Sequence, residues 1–151
     1  MKVFIAVDNS TIAEKAFEWY FTNIHKEGNE VIIGHAAEPP HLPTYVFLAG
    51  EVAYPVEEMK AEAAKAKAKI HELKKKFTNM MANHKDVSYK LDFHVNDLSP
   101  GEAVVKMADK EKCDIIITGS RGLGVVRRTI LGSVSGYIVH HARVPVLVCH
   151  K

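Results

Sequence analysis

Apolar positions fall into two kinds of segment along this chain. In the first kind nearly every residue is apolar: Val3 to Val7, Val31 to Ala36, Asp114 to Thr118 and Val144 to Cys149. Such short runs predict strands buried on both faces. Pro145 is compatible with a strand entrance or an edge. In the second kind apolar residues recur at helical spacing. They are Ala13, Ala16, Phe17, Tyr20 and Ile24, then Met59, Ala63, Ala66, Ile70, Leu73, Phe77 and Met80, then Ala103, Val104, Met107 and Ala108. A short fourth helix is predicted over Val134 to His141. Val87 to Val95 alternates instead, placing Val87, Tyr89, Leu91, Phe93 and Val95 on one side, as an edge strand does.

Boundary residues support these spans. Thr11 and Glu14 form a capping box for the first helix, with Ser10 as the alternative N-cap. That helix runs to about Ile24, and Gly28-Asn29 closes it with a turn. Ser99-Pro100-Gly101-Glu102 starts another helix, with Pro100 in its first position. Prolines 39, 40, 43 and 55 keep residues 37 to 56 from forming a long helix. That stretch reads as a packed connection with at most a helical turn, or as a flap or partner contact.

The order βαβαβαβαβ predicts a single α/β domain over residues 1–151, a doubly wound parallel sheet with right-handed crossovers. Ligands of such sheets sit outside the carboxyl ends of the strands, where strand order reverses. Asp8, Ala36 and the segment after the fourth sheet strand all fall at that edge.

Composition narrows this little. Of the 151 residues 47% are hydrophobic and 25% charged, ordinary for a globular domain. A formal charge of +2 gives no case for nucleic acid as a partner. The long helix carries Lys60, Lys65, Lys67, Lys69, Lys74, Lys75 and Lys76, yet no aromatic residues interleave them, so a solvated face is the reading. Two cysteines without a CxxC spacing, an N-terminal apolar run too short for a signal peptide and no membrane-length segment suit a cytoplasmic address.

The chemistry concentrates between Thr118 and Ser135. Thr118-Gly119-Ser120-Arg121-Gly122 follows a strand, and Gly132-Ser133-Val134-Ser135 opens a helix. Glycine allows close approach of a backbone to a ligand. A helix N-terminus offers free N–H groups and partial positive charge, which together make an anion site, commonly for phosphate. The hydroxyls of Ser133 and Ser135 are further candidate donors. A P-loop is absent, and the first strand–helix turn lacks the glycines of a dinucleotide fingerprint.

The spacing Gly119-x-x-Gly122, nine residues, Gly132-Ser133 resembles the ATP-binding motif of the universal stress protein family. Val7-Asp8-x-Ser10, Asp114 to Gly122, and Gly132 to Ser135 followed by Val144-Pro145-Val146-Leu147-Val148 resemble its other signatures, so the likeness spans the chain. It implies five parallel strands in order 3-2-1-4-5 with four main helices, a fold like that of the adenine nucleotide alpha hydrolases. It implies ATP, with or without Mg²⁺ or Mn²⁺, or else AMP or ADP. Ala6, Val7 and Asp8 would border adenine and ribose, Ala36 would touch adenine, and Thr118 and Gly119 would meet the ribose. Gly122, Gly132, Ser133, Val134 and Ser135 would hold the phosphates. Ala36 is smaller than the valine or isoleucine common in the family, and Asn96-Asp97 stands where a glycine is frequent.

Arg121, Arg127 and Arg128 read either as neutralising a triphosphate or as an exposed basic loop. Asp8 is either a contact for phosphate-bound Mg²⁺ or a capping residue. His35 reads as satisfied by backbone, His140-His141 as one buried and one exposed residue, and Cys149 as a small apolar residue. No catalytic constellation stands out. The expected function is sensing or storage of ATP, in a homodimer paired through Val144 to Cys149. The alternatives are a slow ATPase and a nucleotide-free interaction module.

Overall fold

The computed structural model describes residues 1–39, 46–48, 51–53, 56–95, 97–120 and 131–150. The elements are β1 (Lys2–Ala6), α1 (Thr11–Asn23), β2 (Glu30–Ala37), β3 (Val46–Leu48), β4 (Glu51–Ala53), α2 (Val56–Met81), β5 (Ser88–Val95), α3 (Pro100–Lys110), β6 (Ile115–Gly119), α4 (Ser133–His141) and β7 (Val146–Cys149). The main sheet is parallel, in the order β5-β2-β1-β6-β7. Counting its strands alone, that is the expected 3-2-1-4-5 with four helices.

The near-continuous apolar runs have a direct cause in the packing. Val3, Ile5 and Val7 join a core with Phe17, Tyr20 and Phe77, on the face covered by α1 and α2. Phe4 and Ala6 point the other way, into a core with Val104, Met107 and Ile138 from α3 and α4. From Val3 onward both faces of β1 are therefore dry, and its one polar residue is Lys2 at the partly exposed start.

Three local expectations change. Ser10, not Thr11, caps α1: its Oγ accepts from the Ala13 N–H at 3.2 Å. The 37–56 stretch contains an antiparallel hairpin, with Val46 paired to Ala53 and Leu48 to Glu51, where a helical turn was expected at most. The β-favouring run Val46-Phe47-Leu48 finds a strand partner close in sequence. Glu102 supplies only half of a capping box, since its backbone N–H reaches Ser99 Oγ at 3.4 Å while its carboxylate pairs with Lys106.

The apolar stripe of α2 is core over only part of its length. Leu73, Phe77 and Met81 are buried, whereas Met59, Ala63, Ala66 and Ile70 are half-covered. Length explains this. Twenty-six helical residues span about 39 Å, against about 26 Å for an eight-residue strand, so α2 overshoots the sheet. Lys60 and Lys65 form ion pairs within α2, to Glu57 and Glu62, as a solvated face does. On the edge strand β5, Leu91 and Phe93 pack on the core, but Tyr89 and Val95 are 43% and 45% exposed.

Candidate functional site

Strand order reverses at β1. The chain leaves β1 for β2 on one side and returns to β6 on the other, so a crevice opens beyond their carboxyl ends. The register brings the expected residues together there. Ala6 pairs with Gly34 on one flank and Thr118 on the other, and Ala36 lies two residues beyond Gly34. Val7 donates its N–H to Gly34 O at 2.8 Å, which carries the turn past the last strand residue.

The turn into α1 is a chain of hydrogen bonds. Asp8 Oδ1 accepts from the Ser10 N–H at 2.9 Å and also from the Ser10 hydroxyl. Ser10 Oγ then accepts from Ala13 N–H. Asp8 thus makes the contacts of a capping residue.

His35 Nδ1 lies 2.8 Å from Val7 O. A carbonyl only accepts, so Nδ1 carries the proton and Nε2 is the acceptor of the neutral ring. Burial pushes the His35 pKa below its ordinary 6.5, against the pull of Val7 O and Asp8. His25 is lowered too, by burial and by His84 nearby. The consequence for stability has a definite sign. Well above pH 6.5 both folded and unfolded forms of these rings are neutral. Below it the unfolded chain takes up protons that the fold resists, so their contribution turns unfavourable as pH falls from 6.5 toward the lower folded values. Melting temperature is expected to decline between pH 7.5 and 5.5. His35→Gln is expected to flatten that decline, and an unchanged slope would count against the assignment.

The segment after β6 is fastened at both described ends. The Ser120 N–H donates to Cys149 O at 2.7 Å. Ser120 O accepts from the Gly132 N–H at 2.9 Å and from Ser135 Oγ at 2.9 Å. Ser135 Oγ is also 3.2 Å from Gly132 O. This hydroxyl, expected to face an anion, instead holds the base of the loop. Ser133 is exposed, and Val134 is 36% exposed. Gly132 caps α4 without a side-chain bond, and the Gly136 N–H is the one that reaches Gly132 O, at 2.7 Å. The N–H groups of Ser133, Val134 and Ser135 therefore precede the first intrahelical bond and are the donors an anion would meet.

Gly119 has a packing reason of its own. A Cβ there would lie 2.8 Å from Ile12 Cγ2, so the missing side chain lets the end of β6 press against α1. Thr118 is buried, with Oγ1 donating to Gly119 O at 3.3 Å. Arg121, Gly122, Arg127 and Arg128 lie outside the described residues.

Other candidates resolve plainly. Both His140 and His141 are exposed, correcting the expectation that one is buried. Each uses Nδ1 on the carbonyl four residues back, Gly136 O and Tyr137 O, and His141 stacks on Tyr137. Both rings therefore fold back over the exposed surface of their own helix, each onto the carbonyl one turn earlier. Cys149 is half-buried and Cys113 buried. Burial raises both thiols, Cys113 to about 11, so neither is a ready nucleophile. Among the described residues no group of three or more His, Cys, Asp or Glu is placed to hold a metal. No described helix is long and apolar enough to cross a membrane. Motif reading missed Ser120, because a carbonyl that ties two loop ends leaves no mark in side-chain type. It also missed the contact of Lys76 with Asn9, since a lysine among many on a helix face reads as solvated.

The fold and the site define an open α/β domain with an anion-ready helix start at its switch point. The chain belongs to the universal stress protein family, whose model matches residues 1–150. It is 23% identical to universal stress protein Sll1388 of Synechocystis over 149 residues, 97% of this chain and 96% of that protein. Its structure is similar to that of MJ0577 of Methanocaldococcus jannaschii, with a TM-score of 0.75 and 26% identity over 99% of this chain and 95% of the other. It also resembles a universal stress protein family protein of Arabidopsis thaliana solved with AMP bound. There the TM-score is 0.67 and the identity 24%, over 100% of this chain and 92% of the other.

Proposed function

We propose that this chain is an ATP-binding stress protein of the cytoplasm that holds adenine nucleotide as a sensor or store. The observation that carries the reading is the meeting of Ala6, Val7, Asp8, Ala36, Thr118 and Gly119 with the open start of α4 at one crevice. Successive strand residues turn their backbone groups to opposite neighbours. Gly34 bonds toward β1, so Ala36 turns its N–H and C=O the same way, past the end of that strand. Those two groups suit the edge of a purine. The N–H groups of Ser133, Val134 and Ser135 suit phosphates, with Gly122 and Gly132 keeping the path open and Arg121 and Arg127 adding charge. Mg²⁺ or Mn²⁺ would arrive with the phosphates, near Asp8. The Arabidopsis protein, with its AMP, supports an adenine nucleotide as the ligand class.

Holding fits better than turnover. The Asp8 carboxylate is already engaged by the Ser10 N–H and hydroxyl in the cap of α1, which suits a fixed turn better than a proton acceptor. A homodimer fits the outer edge of β7, which has β6 on one side alone in the sheet. Beside that edge Leu147 and Cys149 line a groove with Met80 and with Trp19, itself 42% exposed.

Acid extraction of protein purified without added nucleotide is expected to release an adenine nucleotide, and ATP is expected to raise the melting temperature. Gly132→Val places a branched side chain where the phosphates would lie. It is expected to weaken ATP binding roughly 10- to 100-fold, the loss of one or two hydrogen bonds to charge. Empty protein that ATP does not stabilise would overturn the reading. The same sample at micromolar concentration is expected to show the mass of two chains.

A further inference from the structure

We infer that Lys76 is a positioning residue for the nucleotide-binding turn, clamping Asn9 from the long helix α2. The inference rests on the proposed nucleotide site and names a residue that controls it from a distance. Lys76 Nζ donates to Asn9 Oδ1 at 3.3 Å, across 67 residues of sequence, and forms an ion pair with Glu14 in the first turn of α1. The other described ion pairs of α2, at Lys60 and Lys65, stay within that helix. Lys76 alone among them ties α2 to another element. Its backbone is well placed to do so, because Leu73 and Phe77 on either side are anchored in the core.

Asn9 occupies the middle of the turn. Asp8 before it and Ser10 after it are joined by their own hydrogen bonds, and Ser10 is fastened to Ala13. Those bonds fix the inner side of the turn and leave Asn9 exposed on the outer side. The Lys76 ammonium closes that outer side. Its side chain is 28% exposed and that of Glu14 37%, so water screens the contact only in part. A turn held from both sides presents Val7 and Asp8 to a ligand in one shape, which lowers the ordering cost of binding.

The test uses the full chain and ATP. Lys76→Met is expected to speed hydrogen exchange at the Ser10 and Ala13 amides and to weaken ATP binding about fivefold, the scale of a partly exposed charged contact. Lys76→Arg is expected to restore both. Asn9→Ala is expected to match Lys76→Met, and the double variant to be no worse than either alone. Unchanged exchange and affinity in Lys76→Met would overturn the inference. So would faster exchange spread evenly through the chain with affinity intact, since that marks a loss of stability alone. If wild-type protein binds no ATP, the proposed function fails, while exchange at Ser10 and Ala13 still decides whether Lys76 holds the turn.

Discussion

Phe77→Ala is expected to cost about 3–5 kcal/mol of folding stability, measured by urea unfolding. Phe77 is completely buried, and its ring meets Phe17 edge-on at 5.6 Å between centroids. Phe17 in turn contacts Phe21 at 4.8 Å, so the truncation opens a void in the buried core beside an aromatic cluster. The helix it anchors has few alternatives. Only Leu73 and Met81 join it as buried residues over the 26 residues of α2. Loss of Phe77 is therefore expected to loosen the whole helix as well as the core. A cost below about 1 kcal/mol would mean that the site collapses around the void, and would contradict the rigid packing described.

Gly34→Ala is expected to cost about 1–3 kcal/mol, from overpacking and not from a void. A Cβ at Gly34 would lie 2.0 Å from Phe4 Cζ, and within 2.9 Å of both Cε atoms. Phe4 has no exposed surface and packs among Ile32, Ala36, Val104 and Ile138, so the ring has nowhere to swing. Phe4→Leu shortens the offending group. Introduced into Gly34→Ala, it is expected to recover part of the loss, although alone it destabilises. Thermal unfolding of the two single variants and the double one reads this coupling directly. Strict additivity would place the strain elsewhere. The position matters for function too, because Gly34 O receives the Val7 N–H that leads the chain into the candidate site.

The architecture was legible wherever burial is two-sided. Val3 to Val7 and Ile115 to Ile117 show it as unbroken apolar runs, because both faces of the central strands meet helices. The site was legible through glycine spacing, since open backbone is a property of residue type. What stayed hidden depends on lengths and partners. The stripe of α2 continues in sequence past the point where the sheet ends, so Met59 and Ala63 read as core and are half-covered. Tyr89 and Val95 keep the alternation of β5 beyond the helices that would cover them. Ser10 and Thr11 are equivalent caps by chemistry, and the Asp8 carboxylate that fastens Ser10 decides between them. Ser135 carries the hydroxyl a phosphate site would use, but the nearer acceptor is the carbonyl of Ser120.

The bonds from Ser120 O to the Gly132 N–H and Ser135 Oγ have a consequence for how such a chain can change. They close the neck of the segment from residue 121 to residue 131 without using any residue from within it. The sheet and the helix start are thus held in register by atoms outside that segment. Lengthening a loop whose ends are already joined adds little closure cost, about 0.6 kcal/mol per doubling. A change of length or sequence between residues 121 and 130, the stretch that carries Arg121, Arg127 and Arg128, therefore leaves this closure untouched. Such a chain can vary in that stretch while the platform beneath it keeps its register.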